Sequence, residues 1–246
     1  MQYEALIHKR EHYQANRHRI HQKAIENHEA AFRVEYAHNS TAIEGNTLSL
    51  IEAKLLIEDG ISVGGKNLRE IYEVVNHVKA YDYILQCLTK GKPLSEEIVK
   101  DVHQILMENI LPGGIYRNAN VRITGAGFQP PSPNEMYYLV KRFFAELPMA
   151  SDRSAIEPAA WVHAEFVRIH PFVDGNGRVS RMMMNYQLMS DGWLPVSIAK
   201  EDRLRYYEAL EMYGAEGDLE PFAIMVAEME ERELDRMIGV IEQVGE

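Results

Sequence analysis

Residues 169–181 read IHPFVDGNGRVSR, and the rest of the chain is organised around them. The preceding stretch AAWVHAEFVRI (159–169) places Trp161, Phe166, Val167 and Ile169 at the spacing of a buried helix. Pro171 disfavours helical backbone at His170, so that helix ends there. Gly175, Asn176 and Gly177 admit positive φ angles and leave backbone N–H groups bare, the makings of an anion nest. RVSRMMMNYQLM (178–189) then reads as a second helix, begun by Arg178. A glycine turn running into a helix N-terminus is a ready site for phosphate. Arg178 and Arg181 sit in the first turn, where the dipole is already positive and cations are mildly unfavourable. Two of them there point to a polyanion that offsets the cost. Asp174 offers a hard oxygen at the edge of the nest, as Mg²⁺ on a phosphate chain requires. His170 is the titratable group of the loop suited to taking a proton near neutral pH. An ordinary interhelical turn accounts for the glycines and the aspartate, but not for the histidine and both arginines.

The flanking sequence is mostly helical in pattern. NLREIYEVVNHVKAYDYILQCLTKG carries an apolar stripe at Ile71, Val74, Val75, Val78, Tyr81, Ile84, Leu85 and Leu88, stopped by Gly91 and Pro93. Ser95 is an N-cap for the next helix, whose apolar face is Ile98, Val102, Ile105 and Leu106. The long non-helical segment, 111–133, is rich in Gly, Pro and Asn and holds a short β-like piece, VRIT. It reads as a hairpin or flap, and a loop of that length in a compact domain implies a task. With 246 residues, 46% of them hydrophobic, the chain can bury a sizeable core in one large domain or a domain with a helical extension. The formal net charge of −11 argues against nucleic acid or an anionic membrane as partner, so phosphate-binding arginines must act locally. The single cysteine, Cys87, lies among apolar residues and reads as a buried, inert thiol in a reducing compartment. No apolar run has signal-peptide or membrane-spanning length, so the expected location is cytoplasmic. His8 and His12 are spaced i, i+4, but no carboxylate or cysteine completes a ligand set, and a solvated helix face explains them.

A second stretch, NSTAIEGNTLSLIEA (39–53), poses a question of placement. Ser49 and Glu52 form a capping box for the helix that follows. If Gly45-Asn46 is the C-cap of the helix before, Glu44 stands in its last turn, where a negative charge opposes the dipole. If Thr41-x-x-Glu44 is itself a capping box, Glu44 stands in a first turn and is welcome. Local chemistry leaves the two readings level.

HPFVDGNGRVSR resembles the Fic family signature H-P-F-x-[D/E]-G-N-G-R-x-x-R at every specified position. The resemblance extends over most of Thr41–Phe222, including GGIYRNANVRITGAGFQPPSP as the family's flap. It implies an all-α Fic/Fido fold with a short β-hairpin flap. It also implies an N-terminal helical region (1–92) and a Fic core (93–246) with flap (about 113–131) and catalytic loop (170–181). The implied activity is transfer of AMP from ATP to a Ser, Thr or Tyr hydroxyl of a target protein and of the chain itself. His170 is then the general base, and Asp174 the ligand of Mg²⁺ bridging the α- and β-phosphates. Gly175, Asn176 and Gly177 form the phosphate cradle, Arg178 neutralises the β/γ end and Arg181 engages the γ-phosphate. Phe172 anchors the loop, and Tyr206 and Tyr207 lie near the base. Val121, Arg122, Ile123 and Thr124 border the nucleotide and present an edge to which a target segment adds by main-chain pairing. STAIEG resembles the family's inhibitory motif, with Ser40, Glu44 and Gly45 in its key places and Glu44 paired to Arg181 against the γ-phosphate. The same resemblance leaves open Glu44-assisted removal of AMP from modified protein, transfer of another phosphate-containing group as in the Doc branch, and homodimerisation.

Overall fold

The computed structural model describes residues 3–62, 64–123, 127–152 and 155–243. Its regular structure among these residues is helical. The helices are α1 (Glu4–Asn16), α2 (Gln22–Ile43), α3 (Leu50–Glu58), α4 (Leu68–Thr89), α5 (Glu96–Leu106), α6 (Pro133–Glu146), α7 (Glu157–Ile169), α8 (Asn176–Ser190), α9 (Arg203–Glu216) and α10 (Glu220–Gln243). α7 and α8 pack against each other at the centre. Small residues on α7 (Ala159, Ala160 and Ala164, each 1% exposed or less) permit the close approach. One apolar cluster joins α7 and α8 to α4, α5 and α6 through Ile84, Val99, Val102, Phe143, Phe166 and Phe172. A second joins them to α9 and α10 through Tyr206, Phe222, Met225 and Val226. Tyr81, Ile84 and Cys87, which precede residue 92, share the first cluster with the residues that follow it. Helix α2, which carries Ser40 and leads into Glu44, packs on both α4 and α8.

Local signals in the sequence set the helix ends. The capping box at Ser49 forms, with Ser49 Oγ accepting from Glu52 N at 3.3 Å and Glu52 Oε2 accepting from Ser49 N at 2.7 Å. Ser95 Oγ caps α5 at 3.4 Å. α2 ends at Ile43, with Glu44 as its C-cap and Gly45 at φ +102°. Thr41 Oγ1 donates back to Ala37 O at 2.8 Å, a mid-helix bond rather than an N-cap. Glu44 therefore stands at a helix C-terminus. α8 starts at Asn176, with Gly175 as N-cap at φ +77°, two residues before the start expected at Arg178.

The expected β-hairpin is not formed among the described residues. Val121, Arg122 and Ile123 belong to no strand, and Thr124 lies outside the described residues. Polar groups of this segment bond to side chains. The Arg117 guanidinium donates to Ala119 O at 2.9 Å and Pro131 O at 2.6 Å, and Gly127 N donates to both Glu211 carboxylate oxygens at 3.0 Å. At the flap's start Gly113 presses on α5, where a Cβ would lie 2.4 Å from Gln104 Cα.

Candidate active site

His170 ends α7 in the left-handed conformation, φ 51° and ψ 58°. That turn points its ring back along the helix, and Nδ1 lies 3.2 Å from Val167 O. A carbonyl only accepts, so Nδ1 carries the proton and Nε2 presents a lone pair. Burial, and after it Arg117, pushes His170 down to about 4, against the carbonyl bond that favours its cation. The imidazole is thus neutral at physiological pH, with its Nε2 lone pair unprotonated.

The next six residues close on themselves. Asn176 Oδ1 accepts from Phe172 N and its Nδ2 donates to Phe172 O, both at 2.9 Å. The Asn176 side chain shapes the loop, and the cradle is made by backbone. Phe172 is fully buried and stacks on His103, with ring centroids 3.6 Å apart. His103 was not singled out by sequence, yet it ties three pieces together. Its Nδ1 accepts from Gly114 N at 2.8 Å, so its Nε2 is the donor toward Asp174 O at 3.1 Å. Burial holds His103 near 4, keeping it in that neutral state. Arg117, also missed, donates from Nε to His170 O at 2.8 Å while its other nitrogens hold the flap. Only their surroundings mark these two: each is a polar side chain 3% exposed or less beside the loop.

The two loop arginines are bonded differently. Arg181, 1% exposed, is bonded through all three nitrogens: Nε donates to Ser40 Oγ at 2.9 Å, and Nη2 to Ser40 O and to Glu44 Oε1 at 2.8 Å each. Its Nη1 donates to Tyr206 Oη at 3.2 Å. Burial works against its charge, but Tyr206 and Glu44 outweigh that and raise its pKa, so it stays a cation. Arg178, 2% exposed, has Nη2 at 3.3 Å from Asp174 Oδ1, while its Nε and Nη1 make no hydrogen bond among the described residues. Nη1 has only the Glu73 carboxylate beside it, at 3.5 Å, and buried guanidinium donors so loosely matched suit a phosphate. Glu44 also reaches into the nest, since a Cβ on Gly177 would lie 2.3 Å from Glu44 Oε1. The carboxylate thus occupies space beside the bare backbone where an anion would rest.

Asp174 is held below the usual carboxylate range: burial raises it, and Arg178, the Gly175 N–H and Arg69 together lower it further. Among the described residues no cluster of three or more His, Cys, Asp or Glu forms a metal cage. One carboxylate shared with phosphate oxygens is the donor set Mg²⁺ favours, so the residues fit that ion. Tyr206 and Tyr207 part company. Tyr206, 1% exposed, is bonded to Arg181 and lies 3.1 Å from His163 Nε2, so it reaches the site only through the arginine. Tyr207, 40% exposed, donates to Ile43 O at 3.2 Å at the end of α2.

Fold and site define a helical protein built on a histidine-to-arginine loop between two central helices, with a carboxylate from the end of a preceding helix bonded to its last arginine. The chain belongs to the Fic/DOC family, which its residues 93–188 match. A protein adenylyltransferase Fic from Drosophila persimilis is 34% identical over 206 residues, covering 82% of this chain and 40% of that protein. One from Drosophila willistoni is 33% identical over 205 residues, covering 82% and 41%. The chain thus spans about two fifths of the length of these curated relatives. Among solved structures, residues 134–508 of Fic-1 from C. elegans superpose with a TM-score of 0.83 at 30% identity, covering 96% of this chain and 70% of that one. A Fic domain containing signaling protein from Bacteroides thetaiotaomicron superposes at 0.85 with 26% identity, covering 99% and 98%. No helix among the described residues is long and apolar enough to cross a membrane.

Proposed function

We propose that the protein is an ATP-dependent protein adenylyltransferase restrained by its own Glu44. The observation that carries this reading is the pairing of a neutral His170, with its Nε2 lone pair free of the Val167 bond, with a backbone nest flanked by two arginines. The relatives named protein adenylyltransferase Fic support the same activity. His170 Nε2 takes the proton of a Ser, Thr or Tyr hydroxyl on a target protein or on the chain itself. That oxygen attacks the α-phosphorus of ATP, the bond to the α,β-bridging oxygen breaks, and pyrophosphate leaves. The N–H groups of Asn176 and Gly177 and the Arg178 guanidinium hold the phosphate charge as it develops. Asp174 would hold Mg²⁺ against the phosphates, and the ion supplies neutralisation of their charge. Val121 to Ile123, unpaired in any ladder, offer main chain along which the target lies.

Restraint follows from Arg181. Its Nη2 is already bonded to Glu44, so a γ-phosphate must displace that carboxylate to reach it. The Glu44 side chain is 34% exposed and the Arg181 side chain 1%, which leaves the contact partly shielded from water. A charge-assisted hydrogen bond of this kind is worth about 1.5–3 kcal/mol. Glu44→Gly is expected to raise self-modification by about ten- to a hundredfold, as that energy implies. The test supplies Glu44→Gly protein with Mg²⁺ and ATP labelled at the α- or the γ-phosphate. Label retained from α alone supports AMP transfer. Retention from γ alone would mean phosphoryl transfer and sink the reading, and wild-type levels from Glu44→Gly would sink the restraint. The exposure of Glu44 also favours a second reading, in which its carboxylate orients a water that hydrolyses AMP–protein. Release of AMP from a modified protein by the wild type, lost in Glu44→Gly, is its signature.

A further inference from the structure

Arg69 on α4 lies outside the family loop, yet it reaches that loop's metal-binding residue. Its Nη2 donates to Asp174 Oδ2, and its Nε donates to Glu73 Oε1 at 3.1 Å. The other Asp174 oxygen, Oδ1, is already engaged, accepting from Gly175 N at 2.6 Å and lying 3.3 Å from Arg178 Nη2. A guanidinium therefore stands on the outward oxygen of the carboxylate. Its anchor is firm: the Glu73 side chain is 10% exposed, and Oε1 also lies 3.5 Å from Arg178 Nη1. Glu73 Oε2 accepts from Asn46 Nδ2 at 3.0 Å, and the same amide donates to Glu70 O at 2.9 Å. Asn46 directly follows the Glu44-Gly45 turn. The turn therefore contacts the loop twice. Glu44 reaches the γ-phosphate arginine directly, and Asn46 reaches the metal ligand through Glu73 and Arg69.

The Arg69 side chain is 53% exposed while Glu73 is buried. Its Nη end can leave Asp174 for water while Nε stays on Glu73, so no charge is stranded. A divalent ion and a guanidinium compete for one oxygen, and Mg²⁺ needs a short, direct bond to it. We propose that Arg69 is a placeholder cation, which covers Oδ2 of Asp174 until a divalent ion arrives with the nucleotide and so lowers the protein's affinity for that ion. The inference rests on the reading of Asp174 as metal ligand in the nucleotidyl-transfer site.

The test is calorimetric titration of Mn²⁺ into the full chain carrying Glu44→Gly and saturated with α,β-methylene-ATP, which is not cleaved at the α,β bridge. The same titration is run with Arg69→Gln or Arg69→Lys added. Arg69→Gln is expected to tighten Mn²⁺ by about two- to fivefold, the range of an exposed ion pair. It should leave metal-free nucleotide binding no tighter than before. Arg69→Lys keeps the competing charge and is expected to bind Mn²⁺ as the parent does. Equal or weaker Mn²⁺ binding in Arg69→Gln overturns the placeholder, as does equal tightening by Arg69→Lys. If the parent binds nucleotide and Mn²⁺ but Arg69→Gln changes nothing, only the placeholder falls. If the parent binds neither, the nucleotidyl-transfer reading falls and takes the placeholder with it.

Discussion

The loop at 170–181 and the flap at 113–131 meet at Arg117, but they are held in opposite ways. In the loop, Asn176 bonds both sides of the Phe172 peptide, His103 stacks on Phe172 and bonds Asp174 O, and Val167 orients His170. These side chains fix the loop from within the chain, and the donors left over are those of Arg178 and the nest backbone. The flap is fixed at its ends, by Arg117 on one side and by Glu211 on Gly127 on the other, and Val121–Ile123 form no ladder. Rigid placement belongs where charge is to be stabilised, and unpaired main chain belongs where a variable partner is to be met. Breaking each region in turn should therefore give different signatures.

The largest effect is expected inside the loop. His170→Ala in the Glu44→Gly protein removes the base but leaves the nest and both arginines. AMP transfer is expected to fall by about 10²–10⁴-fold, the worth of a positioned general base. Nucleotide affinity should hold, as measured by calorimetry with α,β-methylene-ATP. Retained transfer would move the base elsewhere.

Arg117→Ala attacks the joint between the regions. It strands His170 O, Ala119 O and Pro131 O, which now accept from one buried guanidinium. Loss of such a network costs about 2–4 kcal/mol, expected as a lower urea midpoint. If the flap alone depended on Arg117, the midpoint would hardly move and only target modification would suffer.

Acid should separate the regions next. His103 and His170 are both held near 4 by burial, against an ordinary value of 6.5. Below 6.5 the unfolded chain takes up protons that the folded loop refuses, so stability is full above 6.5 and declines as pH falls toward 4. At pH 5 each histidine costs about 2 kcal/mol. Urea unfolding at pH 7 and pH 5 measures these two together with His77 and His163, which burial also holds well below 6.5, and His103→Gln should remove about 2 kcal/mol of the difference. An unchanged difference would place the acid sensitivity outside the loop.

How much of this was legible in the sequence follows the same division. The loop is written locally, so His170, Asp174, the glycines and both arginines could be found from spacing and turn chemistry. The Ser49 box and the Gly45 stop were likewise local, and the structure placed Glu44 at the C-terminus of α2, where spacing alone left two choices. His103, Arg117 and Arg69 were not legible because their roles come from long-range packing: nothing near them in the chain marks a partner 71 positions away, as for His103 and Asp174, or 53 away, as for Arg117 and His170. The flap misled for the opposite reason. VRIT has β-forming residues, but propensity makes a strand only where another strand supplies a ladder. Tyr206 shows a further limit, since nothing near it in the chain marks the bond that its hydroxyl accepts from Arg181.

The smallest expected effect tests the flap directly. Ile123→Pro deletes one N–H without touching the loop, the nest or Glu44. If targets lie along Val121–Ile123 by main-chain pairing, modification of a target protein should drop about fivefold, the worth of one hydrogen bond of roughly 1 kcal/mol. The urea midpoint and nucleotide affinity should not change. Ile123→Val keeps the N–H and should behave as the parent, which separates loss of the donor from loss of the side chain. Equal loss in both variants would mean that the flap recognises targets through its side chains, and that the contrast with the loop lies in what it displays rather than in its unpaired backbone.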